Sequence, residues 1–148
     1  MAIQISKAEI ADMPFILSSV AEVNRKSGIL KPPYLTMETL RKDVFCSNPA
    51  TSINVAFYKD TPVGFVMYSP IYFTSLGRAI WVTQLFTQSQ YRQQGIATQL
   101  LEYVKAQNPQ ANAFCWVTTS DNKDAQLAFD KMTTEKINGV AFYVMRTA

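Results

Sequence analysis

A single glycine stands near the start of a predicted helix in the stretch YRQQGIATQLLEYV, which runs from Tyr91 to Val104. Glycine there costs conformational entropy and offers no side chain to pack, so the position must need the backbone itself. The first amides of a helix have no partners within it and carry the positive end of its dipole. With Gly95 and the small Ala97 at this point, the backbone can lie directly against an anion, as in a phosphate site.

Two well-known phosphate loops do not match this stretch. A Rossmann fingerprint, G-x-G-x-x-G, requires three glycines where one is present, and the P-loop pattern G-x-x-x-x-G-K-[ST] is absent. A purely structural alternative is that Gly95 lets the helix pack closely on the preceding strand. The spacing alone does not decide between these two interpretations.

The absence of histidine limits the chemistry that the chain can perform. It excludes Ser-His-Asp and Cys-His nucleophilic machinery and His-ligated zinc sites. Cys46 and Cys115 match no metal-ligand spacing and no CxxC motif, so we expect two reduced, mostly buried thiols and no bound metal. An enzyme built on this chain would use carboxylates, tyrosines, backbone amides or water.

The composition is that of an ordinary globular protein. The 148 residues are 48% hydrophobic and 17% charged, which predicts one domain over residues 1–148. The net charge of +3 is spread over scattered basic residues, so nucleic-acid binding is disfavoured. No apolar run is long enough to span a membrane, and the opening MAIQISKAEIADMP lacks the layout of a signal peptide. We therefore expect a cytoplasmic protein.

Hydrophobic periodicity predicts secondary-structure elements in the order β-α-α-β-β-β-α-β-α-β-β. Residues 79–117 comprise a strand, a helix and a second strand, and such a unit requires two parallel strands. Thr36 is predicted to cap the second helix. Pro70 is expected to interrupt the strand VGFVMYSPIYF, and Asn138-Gly139 to turn a final hairpin in EKINGVAFYVMRT. The predicted fold class is mixed α/β (α+β).

Two motifs resemble those of the GNAT superfamily of acyl-CoA N-acyltransferases. R-Q-Q-G-I-A matches its [QR]-x-x-G-x-[GA] pattern, and Asn122, Ala125 and Phe129 resemble its N-x-x-A-x-x-x-Y segment. The element order is also similar over essentially the whole chain. The resemblance implies a mostly antiparallel central sheet with a parallel β-α-β unit and flanking helices. LTMETLRKDVF and PVGFVMYSPIYF look most like the diamine (spermidine/spermine) acetyltransferase branch.

The resemblance implies that an amine directly attacks the thioester of acetyl-CoA, which leaves as CoA. Acetyl-CoA would lie in a gap between the strands at 79–87 and 113–119, with its pantetheine arm along residues 85–87 and its pyrophosphate on the amides of residues 93–98. A backbone N–H near Leu85 or Phe86 would stabilise the oxyanion. The implied cofactor-binding residues are Leu85, Phe86, Thr87, Arg92, Gln93, Gln94, Gly95, Ile96, Ala97, Thr98, Asn122 and Phe129. Because the superfamily commonly forms dimers, the resemblance also implies a homodimer.

The sequence departs from the family pattern where proton transfer would occur. The family's tyrosine falls on Phe129, which cannot donate a proton, and the acidic pair of the diamine branch falls on Thr83 and Gln84. Water or Tyr143 could substitute, although Tyr143 also fits a packing role. We expect the acceptor pocket between SGILKPPYLT and the last hairpin, with Thr83 and Gln84 as substrate-binding residues and Tyr34 either lining the pocket or lying in a plain loop.

Two functions remain open at this point. The first is an N-acetyltransferase acting on a primary amine of a small molecule, an amino acid or a protein. The second is a catalytically weak acyl-CoA-binding regulatory domain, which the losses at Phe129 and Thr83 favour. The acceptor is read by loops rather than by a motif, so the sequence does not identify it.

Overall fold

The computed structural model describes residues 1–27, 34–118, 123–132 and 135–147. The chain divides into two compact units, Met1–Val117 and Thr118–Ala148. The first unit holds five strands, which are β1 (Ile3–Lys7), β2 (Ser52–Tyr58), β3 (Thr61–Phe73), β4 (Gly77–Thr87) and β5 (Ala113–Trp116). It also holds three helices, which are α1 (Met13–Ser27), α2 (Met37–Asp43) and α3 (Ile96–Gln107). The second unit contains α4 (Lys123–Asp130).

The five strands form one sheet in the order β1-β2-β3-β4-β5. The first four pair antiparallel with their neighbours, and β5 pairs parallel to β4. Helix α3 makes the connection between the two parallel strands, as a parallel pair requires. The predicted fold class and the β-α-β unit over residues 79–117 are therefore confirmed.

Each face of the sheet carries its own apolar core. One core packs α3 against the sheet and is made of Ala56, Val63, Val66, Tyr68, Ile80, Val82, Ile96, Leu100 and Val104. The other packs α1 and α2 against the opposite face and is made of Ala8, Met13, Ile16, Leu40, Ile53, Val55, Phe65 and Phe86. Residues on neighbouring positions of one strand, such as Val55 and Ala56, therefore belong to different cores, because successive side chains of a strand point to opposite faces.

Thr36 caps α2, as the sequence predicts. Its side-chain Oγ1 accepts a hydrogen bond from the backbone N–H of Thr39 at 3.1 Å, and the Thr36 N–H donates to the Thr39 hydroxyl at 2.7 Å. This reciprocal arrangement satisfies donors that the first turn of a helix leaves without partners. Leu40 is fully buried on the apolar face that follows.

Strand β3 continues through Pro70, so the predicted interruption is wrong. Ser52, the first residue of β2, lies opposite Tyr68 of β3, so β2 does not run beside the later residues of β3. The pairing of β3 with β4, in contrast, extends to Phe73. Beyond Tyr68, β3 is consequently an edge strand on its β2 side. An edge strand tolerates proline because a missing N–H on its open side breaks no ladder hydrogen bond.

The predicted final hairpin is also wrong for the residues that the structure describes. Residues 135–147 contain no strand and are exposed throughout. Gly139 does have a positive φ of 79°, as a turn residue would. Alternating apolar side chains favour a strand only where one face is buried, and exposed residues 137–145 lack that burial.

The two cysteines are both free, but Cys46 is exposed, which corrects the expectation that it is buried. Cys115 of β5 is half-buried, and burial raises the pKa of its thiol.

On the α3 face, burial likewise raises the pKa of the Tyr68 phenol. Within the described parts of the chain, no helix is long and apolar enough to cross a membrane.

Candidate active site

The last five residues of β4 have a strand partner on one side only. Strand β5 pairs with β4 from Ala79 to Val82 and ends at Trp116, while β4 continues to Thr87. On the β3 side the pairing persists as far as Thr87, opposite Gly64. In the described residues, the segment 83–87 thus has no strand beside it where β5 would continue. Its main chain on that side is available to a ligand that binds as an extra strand.

A β-bulge lies where the two parallel strands separate. Gln84 pairs with Met67 and Val82 with Tyr68, so Thr83 is an additional residue on β4. The Thr83 hydroxyl donates to the Met67 carbonyl at 3.2 Å. Bulges bend a strand and are common beside active sites. The two consecutive polar residues in AIWVTQLFT break the apolar alternation and were the signal from which the bulge could have been predicted.

Hydrogen bonds attach the connection between β4 and α3 to the end of β4. The Nε atom of Arg92 donates to the Thr87 carbonyl at 3.0 Å, and the N–H of Gln88 donates to the Val63 carbonyl at 2.9 Å. The side-chain amide of Gln94 donates to the Gln90 carbonyl at 3.4 Å. The predicted residue Arg92 is thereby held against Thr87 at the end of β4.

Helix α3 is anchored to the sheet, whereas its N-terminus is open. Ile96 and Leu100 are buried on the sheet. Gly95 is the N-cap, in a left-handed conformation with φ 80° and ψ 10°, and no side chain caps the helix. The free amides and the helix dipole make this N-terminus favourable for an anion.

The geometry also separates the two interpretations of Gly95. A Cβ atom built on Gly95 would meet no atom of the described residues within 4 Å. The glycine therefore does not serve close packing of the helix on the strand. Close packing instead occurs at Gly64, where a Cβ would lie 2.6 Å from the Phe86 carbonyl oxygen. Gly95 is required by its left-handed φ, and it leaves the space in front of the amides open.

The α1 face of β4 provides the surroundings of the predicted acceptor residues. Gln84 is half-buried, and Thr83 is exposed. Phe86 is buried, and its ring lies 6.3 Å from the ring of Phe15 on α1 and 6.0 Å from that of Phe65. Aromatic and uncharged groups thus dominate this part of β4. Tyr34 precedes α2 and has 67% of its surface exposed.

Strands β3 and β4 and the connection to α3 contain no carboxylate. Between Asp60 and Glu102 the sequence has no aspartate or glutamate, and its charged residues are Arg78 and Arg92. The open edge of β4 therefore lies in a neutral to positive part of the chain. This charge favours an anionic ligand and gives a cationic ligand no partner from these strands.

Three predicted residues do not belong to the described part of the first unit. Asn122 lies outside the described residues. Phe129 belongs to α4 of the second unit. Tyr143 lies in the second unit, in the segment without strands, with 90% of its surface exposed. Among the described residues, no group of three or more acidic or cysteine side chains is arranged to hold a metal ion.

Known proteins resemble this chain in sequence and in fold. Mouse (Mus musculus) thialysine N-epsilon-acetyltransferase is 29% identical over 106 residues, which are 66% of this chain and 61% of that protein. The chain thus spans about three fifths of the length of this curated relative. An integron cassette protein from the mobile metagenome of V. cholerae has the same fold, with a TM-score of 0.75, 18% identity and coverage of 99% of this chain and 93% of that one.

A third similarity is to AAC(6')-Iy, whose structure contains a CoA bisubstrate analogue. The TM-score is 0.75 at 17% identity, and 99% of each chain is covered. At this identity the likeness shows the fold alone. The model of the Acetyltransferase (GNAT) family matches residues 21–133, which are most of the chain. This range includes residues 83–87 of β4 and residues 92–98 at the start of α3, which together form the candidate site and are called the β4–α3 site. The chain therefore belongs to the GNAT acetyltransferase family.

Proposed function

We propose that this protein is an N-acetyltransferase that transfers an acetyl group from acetyl-CoA directly to a primary amine. The observation that carries the proposal is the open edge of β4 over residues 83–87, fastened beside the uncapped N-terminus of α3. An extended arm that ends in a diphosphate needs these two features side by side. Family membership and the acetyltransferase relative support the same activity.

The residues at the site fit such a ligand. The open space in front of Gly95 would admit a diphosphate, which the amides of residues 93–98 would hold, with Arg92 adding positive charge beside it. The main chain of residues 85–87 would bind the pantetheine arm in the manner of a strand. When bound, acetyl-CoA supplies the thioester carbonyl that an amine attacks. A main-chain N–H of Leu85 or Phe86 would stabilise the negative charge that develops on that carbonyl oxygen.

Proton transfer would not use a carboxylate of β3 or β4, because these strands have none. An amine must be neutral to attack, and general-base catalysis contributes about 10²- to 10⁴-fold where a base is present. We propose that the acceptor binds already deprotonated or loses its proton to water. The value of kcat/KM would then rise tenfold per pH unit up to the pKa of the acceptor amine.

The acceptor itself follows from the same charge distribution. We propose that Thr83 and Gln84 contact an uncharged or weakly basic amine and that Tyr34 lines the approach. A polyamine would lose ion-paired hydrogen bonds worth about 1.5–3 kcal/mol each, or more than tenfold in affinity for each one. The mouse relative is named for acetylation of thialysine, which makes this compound a suitable first acceptor to assay.

We further propose that residues 1–148 act as one acetyltransferase domain in a cytoplasmic homodimer. The family model extends from residue 21 to residue 133 and so reaches into both units. Two free thiols are typical of a reducing compartment. Light scattering at micromolar concentration tests the dimer, and a monomer mass would reject it.

The alternative, a catalytically weak acyl-CoA-binding domain, is favoured by phenylalanine at position 129, where the family has a proton-donating tyrosine. A thiol-release assay separates the two functions. Purified protein is incubated with acetyl-CoA and a panel of amino acids, monoamines, thialysine, N-terminal peptides and spermidine. Release of CoA with one class of amine supports the enzyme. If calorimetry shows that acetyl-CoA binds but no amine of the panel causes release of CoA, the alternative is supported. If spermidine is the best acceptor, the proposal of an uncharged acceptor is wrong.

A further inference from the structure

A groove lies at the end of β4 that is remote from the candidate active site. It has a volume of about 310 Å³ and is lined by residues 70–72 of β3, residues 78–80 of β4 and residues 110–111 after α3. Small-molecule sites begin at about this volume. Arg78 lies nine residues before Thr87 on the same strand, roughly 30 Å at about 3.3 Å per residue. The groove is thus distinct from the β4–α3 site.

Hydrogen bonds hold the walls of this groove in place. The backbone N–H of Asn112 donates to the Arg78 carbonyl at 2.7 Å, and the side-chain amide of Asn112 donates to the Leu76 carbonyl at 3.1 Å. The side-chain amide of Asn108 donates to the Val104 carbonyl at 2.7 Å and so fixes the end of α3. The loop after α3 is therefore tied to the start of β4, and the groove is formed before any ligand arrives.

Two cross-strand pairs define the chemistry of the groove. Pro70 pairs with Ile80 and Tyr72 with Arg78, and directly opposed residues share a face of the sheet. Ile80 is buried, whereas Tyr72 has 72% of its surface exposed. The first pair gives an apolar floor. The second places Arg78 opposite Tyr72, and both residues line the groove together with Gln110 as a further polar residue.

The positive charge of Arg78 is not neutralised by the described part of the chain. No acidic residue lines the groove, and no salt bridge joins Arg78 to a described carboxylate. A planar guanidinium binds a carboxylate through two parallel hydrogen bonds. One cation over an apolar floor matches a single negative charge on a hydrocarbon body, whereas a phosphate would draw on more than one cation.

We infer that this groove is a second ligand site, which takes a small monocarboxylate with an apolar or aromatic body. The Arg78 guanidinium binds the carboxylate, Gln110 provides a further hydrogen bond, and Pro70 and Ile80 contact the hydrocarbon part. The site is independent of the acetyltransferase proposal, because none of its residues belongs to the β4–α3 site.

The test uses phenylacetate as the probe and phenylacetamide as its uncharged isostere. Amide chemical shifts of ¹⁵N-labelled full-length protein are recorded during titration to millimolar phenylacetate. We expect shifts at Tyr72, Arg78 and Gln110, little response to phenylacetamide, and affinity weakened about tenfold or more in Arg78→Gln. Arg41→Gln is the matched control, since it removes the same charge from exposed Arg41 of α2 on the other face of the sheet, and it should bind phenylacetate like the parent.

Several results would overturn the inference. These are equal shifts with phenylacetamide, unchanged affinity in Arg78→Gln, an equal loss in Arg41→Gln, and the absence of shifts at millimolar phenylacetate. Shifts confined to residues 93–98 would place the carboxylate in the β4–α3 site instead. Light scattering is run on the parent and on Arg78→Gln. A dimer that the substitution converts to a monomer would assign the groove to a second copy of the chain and would likewise reject a small-molecule site.

Discussion

Replacement of Gly95 by asparagine and by valine separates a requirement of the backbone from a requirement of the ligand. Valine at φ 80° adopts a left-handed conformation that costs about 1–2 kcal/mol for residues with a Cβ. No clash with the part of the chain that the structure describes adds to this cost, because none of its atoms lies within 4 Å of a Cβ at position 95. The melting temperature of Gly95→Val should fall by about 2–4 °C per kcal/mol of lost stability. Asparagine tolerates this conformation better, so Gly95→Asn should lose less.

The two variants should nevertheless share one defect. Each places a side chain in the open space before the first amides of α3, where we place the diphosphate. We expect at least tenfold weaker CoA binding by calorimetry in both variants. The rise of the melting temperature with CoA should shrink in both, as mass action requires. Gly139→Val is the matched control, because Gly139 has φ 79° and its Cβ position has no atom within 4 Å among the residues that the structure describes. If Gly95→Asn is folded and binds CoA like the parent, the assignment of the site is wrong.

Three further perturbations test the packing and the titrating groups. Gly64→Ala places a Cβ 2.6 Å from the carbonyl oxygen of Phe86, so the strands must shift. We expect the free energy of unfolding, measured in urea, to fall by about 1–3 kcal/mol. An unchanged urea midpoint would contradict this contact. Because burial raises the pKa of Tyr68, its contribution to stability is present below about pH 10 and is lost as the pH rises through the raised pKa. Tyr68→Phe should therefore depend less on pH in alkaline unfolding than the parent, and an identical slope would reject this role. Exposed Cys46 should react with a thiol reagent before Cys115, whose pKa burial raises, and mass spectrometry showing the reverse order would refute it.

The sequence predicted the elements whose signals are local. Thr36 capped a helix as expected, and the strand-helix-strand pattern over residues 79–117 gave two parallel strands. It failed where the outcome depends on a distant neighbour. Pro70 stays within strand β3 because the pairing of β3 with β2 stops at Tyr68. No local sequence pattern reveals where that pairing stops.

In the candidate site, too, features with a local sequence signal could be predicted, whereas features that depend on distant residues could not. The turn before α3, with Gly95 as its N-cap, could be predicted from R-Q-Q-G-I-A, because glycine before a helix has a local physical meaning. The close approach at Gly64 and the open edge beyond Val82 could not, because each depends on the register between strands distant in the sequence. The spacing of R-Q-Q-G-I-A could not exclude a packing role for Gly95 either. A packing role for Gly95 could be excluded only from the structure, which shows the space around its Cβ position.

Strand β4 has two halves that differ in how their amides exchange with solvent. Residues 79–82 are paired on both sides, so their amides should be protected from deuterium exchange in the free protein. Alternate amides of residues 83–87 point to the side where β5 has ended, and these should exchange rapidly until a ligand occupies that side. Substitutions of buried Ile80 or Val82 in the first half would then lower the yield of folded protein, whereas substitutions of Thr83 or Thr87, which lie outside both cores, would leave a folded protein that no longer retains its ligand. One strand would thus carry two kinds of selective pressure, and the boundary between them is the bulge at Thr83.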